Sequence, residues 1–87
     1  MENQINNFST SDIKIASYLL SKSISLVGVD RPTSRKVIFI FEKSNQTSQL
    51  IQDYLSDKAV VNPRLLFESF ANLKSVIFKE IGIWKNQ

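Results

Sequence analysis

Five consecutive apolar residues, Val37-Ile38-Phe39-Ile40-Phe41, constrain this chain more than any other feature of it. Their β-branched and aromatic side chains favour an extended backbone. Successive side chains of a strand point to opposite faces, so Val37, Phe39 and Phe41 face one way and Ile38 and Ile40 the other. A strand apolar on both faces calls for cover on both. The earlier run Ile24-Ser25-Leu26-Val27-Gly28-Val29 also reads as a strand, and the polar stretch Asp30-Arg31-Pro32-Thr33-Ser34-Arg35 joins the two as a loop. The expectation is an antiparallel β-hairpin, whose two open edges cannot stand alone. A solitary Gly28 inside a strand signals a bulge or a close approach.

Helices are announced on both sides of the hairpin. Ser9-Thr10-Ser11-Asp12 supplies hydroxyl caps, with Asp12 in capping-box position after Ser9. On a helical wheel Ile13, Ile15, Ala16, Leu19 and Leu20 share one arc. Lys14, Ser17, Ser21 and Lys22 oppose them and Tyr18 lies on the border, which predicts a surface helix over about 10–22. A second helix over 44–56 carries Leu50, Ile51, Tyr54 and Leu55, with Ser44 or Asn45 as its cap. Asn62-Pro63 opens the last one, cap first and proline at the first helical position. Its main stripe is Leu66, Phe70, Leu73, Ile77 and Ile81, flanked by Phe67 and Phe78 on one side and Leu65 and Val76 on the other. A helix so widely apolar is either the centre of the fold or part of an interface. Gly82 is expected to stop it, and Ile83 and Trp84 to fold back on the core. The fold class that follows is α+β, in the order α-β-β-α-α, with the hairpin packed against helices. Residues 1–8 form a polar arm, 9–84 a single domain and 85–87 a frayed end.

Composition removes most chemistries. With no cysteine and no histidine, thiolate or imidazole metal sites, cysteine nucleophiles and Ser-His pairs are excluded. Eight carboxylates are scattered, and the nearest thing to a pair, Asp53 and Asp57 one helical turn apart, sits beside Lys58 as a solvated helix end would. No glycine-rich phosphate loop is present. The expectation is a module that is not an enzyme and that needs no cofactor or metal. No apolar run nears the roughly 20 residues that span a bilayer, and the first residues lack the order of a signal peptide, so no membrane association and a cytoplasmic location are expected.

Binding has three sequence signals, of which the aromatic set reads as core packing at Phe39 and Phe41 and is ambiguous at Trp84 beside Lys85. Arg31, Arg35 and Lys36 cluster at the hairpin tip in a chain of formal charge +3, as phosphate contacts would. Ile38 and Ile40, on the second face of the hairpin, are the expected interface of a homodimer, since an 87-residue chain buries a modest share of its surface alone.

The order of these signals is similar to that of a known family. Phe8-Ser9-Thr10-Ser11-Asp12, Leu26-Val27-Gly28-Val29, Val37-Ile38-Phe39-Ile40-Phe41-Glu42, Asn62-Pro63-Arg64-Leu65-Leu66-Phe67 and Asn72-Leu73-Lys74-Ser75 carry the likeness. Together they resemble a family of short bacterial and phage domains of unknown function, over residues 8–79. The resemblance implies a small accessory protein, of phage or mobile-element type, with no catalytic assignment. The leading functional expectation is a nucleic-acid-associated binding module acting through the basic hairpin tip. The alternative is a protein-interaction or inhibitor module using an apolar hairpin or last-helix face.

Overall fold

In chain order the structure, a computed structural model describing residues 7–81, runs β1 (Asn7–Thr10), α1 (Ile13–Ser21), β2 (Leu26–Thr33), β3 (Lys36–Glu42), α2 (Asn45–Leu55) and α3 (Pro63–Ile81). This is an α+β fold with one strand more than expected. The sheet is antiparallel in the order β1-β3-β2, which puts the doubly apolar strand in the middle. The hairpin's open edge on β3 is closed by β1, with Phe8 opposite Phe41 and Thr10 opposite Phe39. Asn7 and Phe8, assigned above to a polar arm, are therefore sheet residues. Because Ser9 and Thr10 are taken up by the strand, the helix start moves to Asp12, whose carboxylate accepts the Lys14 N–H at 2.9 Å.

Strand β2 runs past Pro32 to Thr33, so the expected six-residue loop shrinks to a turn at Ser34 and Arg35. A proline is tolerated there because β2 is an edge strand and the register slips between Asp30 and Thr33. A second slip lies between Leu26 and Gly28, which makes Val27 the extra, exposed residue of a bulge. Gly28 itself is not there for want of space. A Cβ on it would meet Ile40 Cδ1 at an ordinary 3.9 Å.

The core gathers Ala16, Tyr18 and Leu19 of α1, Ile24, Val37, Phe39 and Phe41 of the hairpin region, and Leu73 of α3. The molecule measures 42 × 39 × 18 Å, a thickness that admits one sheet and one layer of helices. The expectation that both faces of β3 are covered is thereby corrected. Val37, Phe39 and Phe41 are buried, whereas Ile38 and Ile40 are half-buried on the face away from the helices. Helix α1 touches β1, α2 and α3. That enclosure buries Ser17, which the wheel placed on the polar side, and its hydroxyl donates to the Ile13 carbonyl at 2.7 Å.

Both α1 and α2 end in a Schellman turn without glycine. Ser23 and Asp57 take φ of 68° and 62°. Ile24 N–H reaches the Leu19 carbonyl at 3.1 Å and Lys58 N–H the Asp53 carbonyl at 2.8 Å. At the other end of α2, Ser44 Oγ accepts the Thr47 N–H, and the fully buried Thr47 hydroxyl donates to the Glu42 carbonyl at 2.8 Å. Asn62 Oδ1 caps α3 by accepting from Arg64 and Leu65, as the Asn-Pro order predicts. The stop expected at Gly82 and the fold-back of Ile83 and Trp84 lie outside the described residues.

Candidate functional site

The three basic residues of the hairpin do not form one group. Arg35 sits in the turn with its N–H on Thr33 Oγ1, and Lys36 opens β3 beside it; both side chains are exposed. Arg31 stands further down β2, and its guanidinium donates to the Glu80 carbonyl in the last turn of α3. A cation is favoured there by the unsatisfied carbonyls and partial negative charge of a helix C-terminus. Arg31 thus has a partner within the chain, and two cations remain at the tip. Ile38 and Ile40 share the open sheet face with Lys36, two and four residues on in the strand alternation.

A second surface is assembled by helices. A groove of about 440 Å³ opens between α1, α2, the connector before α3 and the first turns of α3. Tyr18 of α1 and Tyr54 of α2 form one wall, their rings 5.6 Å apart and tilted by 37°. Ala59 and Val61 of the connector, with Leu66 and Phe70 of α3, supply aliphatic and aromatic surface. Phe67 stands at the mouth with 68% of its surface exposed. The groove exists because α2 is short and α3 starts only after the extended connector, so the stripe of α3 runs past the end of the surface that α1 and α2 offer it. Leu73, further along, is buried; Leu66 and Phe70 are only half covered. Of the main stripe expected on α3, Leu73 is buried, and Leu66, Phe70 and Ile77 are half-buried.

Polar groups at the groove are few. Lys14 is at its edge, and Ser17 has already spent its hydroxyl on Ile13. Tyr18 is buried and its hydroxyl makes no hydrogen bond to a described residue. Burial, and then the nearby Asp53 carboxylate, push its phenol pKa up from 10.0. The phenol therefore stays protonated and remains a donor. Asp53 accepts from Gln49 Nε2 at 3.0 Å, while Asp57 is exposed in the left-handed stop of α2, so the two carboxylates of that turn have different surroundings. Among the described residues no three acidic side chains gather as metal ligands. No described helix is long and apolar enough to cross a membrane.

The sequence singled out Tyr18, Tyr54, Leu66, Phe67 and Phe70 but not the groove they line. Its one legible signal was the excess apolar width of α3, where Phe67 stands off the main stripe. No curated protein and no solved structure matches the chain. The likeness carried by the helix start, the two strands and the Asn-Pro helix is confirmed at family level: residues 5–79 match the domain of unknown function DUF5659, and the chain belongs to that family.

Proposed function

We propose that this chain is a protein-interaction module that takes an apolar side chain of a partner into the groove between α1, α2 and α3. The observation that carries this is Phe67, two-thirds exposed at the mouth of an apolar groove, whereas Phe39 and Phe41 of the central strand are buried. Leaving such a surface to water is unfavourable by roughly 25 cal/mol for each Å² that a partner could cover. Small-molecule sites pair an apolar cavity with several convergent polar groups. This one offers few, which fits a side chain on a macromolecule better than a cofactor.

The test is recovery of the tagged full-length chain from its native cells after nuclease treatment, beside a Phe67→Asp variant. A protein recovered with the parent and lost with the variant supports the reading. Identical partners for both sink it.

A second reading rests on Arg35 and Lys36, two exposed cations at the hairpin tip, one in the turn and one at the start of β3. If each neutralises a phosphate, duplex DNA binding should show a log–log salt slope about 2 units steeper than that of the double alanine variant. No mobility shift with micromolar protein at about 50 mM salt removes it.

A further inference from the structure

We infer that the segment this groove receives is acidic: an aromatic or leucine-like anchor flanked by Asp or Glu, with the anchor in the groove and the carboxylates on a lysine rim. The inference rests on the groove being a protein-docking site, and it names the chemistry of the partner.

One lysine lines the groove and two more lie beside rings that line it. Lys14 lines the groove itself and is exposed. Lys22 Nζ lies 5.9 Å from the centroid of Tyr18, and Lys74 Nζ lies 5.6 Å from that of Phe70. Both rings are walls of the groove. The cations come from α1, the residue that caps it, and α3, so they border the groove on more than one side. Against them stands Asp53, half-buried on α2 and already bonded to Gln49. Glu68 follows Phe67 in sequence, but one helical residue turns it about 100° away. Lysines beside the groove attract a carboxylate within about a Debye length, and two of them are already positioned by contact with an aromatic ring.

A basic segment would meet three like charges beside the groove, which is discrimination by repulsion.

The experiment uses the full-length chain and a random dodecapeptide display library. Enriched peptides are synthesised and titrated against the parent, Phe67→Asp and the double variant Lys14→Glu with Lys74→Glu, each checked for folding by circular dichroism. The expected result is peptides of net negative charge around an aromatic residue or leucine. Their affinity should fall at least about tenfold in the double charge reversal, and re-selection on that variant should return basic peptides. Should the double variant not fold, Lys14→Gln and Lys74→Gln singly are expected to weaken binding about threefold each. Neutral or basic peptides that lose binding with Phe67→Asp would overturn the acidic partner and leave the groove as a docking site. An absence of any peptide sensitive to Phe67→Asp would overturn both.

Discussion

Helix α1 has nine residues and α3 has nineteen, yet the shorter one is the better anchored. Five consecutive residues of α1, Ile15 to Leu19, are buried, whereas the described part of α3 buries Ser69 and Leu73. Length and apolar content do not decide this. Position does: α1 meets β1, α2 and α3, while α3 packs chiefly on α1. Burial all round a helix comes from neighbours on several sides, and a helix with one neighbour buries one stripe. What α3 leaves over, Leu65, Phe67 and Phe78, is apolar surface that the fold itself does not use. Of these, Phe67 lines the groove.

The comparison is broken most directly by truncating one leucine and one phenylalanine. Leu19 is fully buried at the centre of α1. Leu19→Ala should cost about 3–5 kcal/mol in urea unfolding, a large part of what an 87-residue domain has. Phe70→Ala, on the stripe of α3 but half-buried at the groove, should cost only about 1–2 kcal/mol. Equal costs would mean that α3 is as enclosed as α1, and the groove would then be closed in solution.

What the sequence showed of this arrangement depended on whether a residue's setting is local. The alternation of Val37, Phe39 and Phe41 against Ile38 and Ile40 and the Asn62-Pro63 start are set by neighbours in the chain and found as read, and of the two caps offered for α2 the structure uses Ser44. β1 is different. Asn7-Phe8-Ser9-Thr10 has one apolar residue, and it is a strand because β3 has an edge to fill. Its hydroxyls also imitate a helix cap, so the local signal pointed the other way. Pro32 marked a loop by propensity, but an edge strand with a register slip accommodates it. That single change moved Arg31 off the tip and onto the end of α3. The groove was least legible, because it is a gap between elements and no periodicity records where two helices fail to meet.

A smaller effect of opposite sign sharpens the account of how the short helices are fixed. Ser23 and Asp57 hold left-handed backbone at the ends of α1 and α2, where glycine has no Cβ to strain. Ser23→Gly and Asp57→Gly should each raise stability by about 0.5–1 kcal/mol, the relief of strain exceeding the added freedom of the unfolded chain. Loss of stability in either would show that the side chain does more at that stop than the Schellman bonds require. Gly28→Ala offers a control on the sheet side, since the space beside Ile40 admits a Cβ.

Tyr18 tests the face of α1 that looks into the groove. Its folded pKa is raised above 10.0, so the native state holds its proton more tightly than the unfolded chain does. The stabilisation is complete below the unfolded value and is lost as pH rises from about 10 through the folded value. Urea midpoints of the parent should therefore fall more steeply above pH 10 than those of Tyr18→Phe. At neutral pH the same substitution should be within about 0.5 kcal/mol of the parent, because the phenol gives up no bond to a described residue. A clear loss at neutral pH would mean that the hydroxyl has a partner.

The smallest expected change in stability carries the most functional weight. Phe67 is 68% exposed, so replacing it removes little that the folded chain has buried. Phe67→Asp should unfold within about 0.5 kcal/mol of the parent in urea, the range usual for exposed positions. The residue also lies six positions before the buried Leu73, between one and two turns away and on a different side of α3. Partner binding should nevertheless be lost, since a carboxylate then stands at the mouth of an apolar groove and repels the acidic segment inferred above. This dissociation of stability from binding is what separates an unused apolar surface from a piece of the core. If Phe67→Asp destabilises the chain by as much as Leu19→Ala, the phenylalanine is packed inward in solution, and α3 has no free side for a partner to occupy.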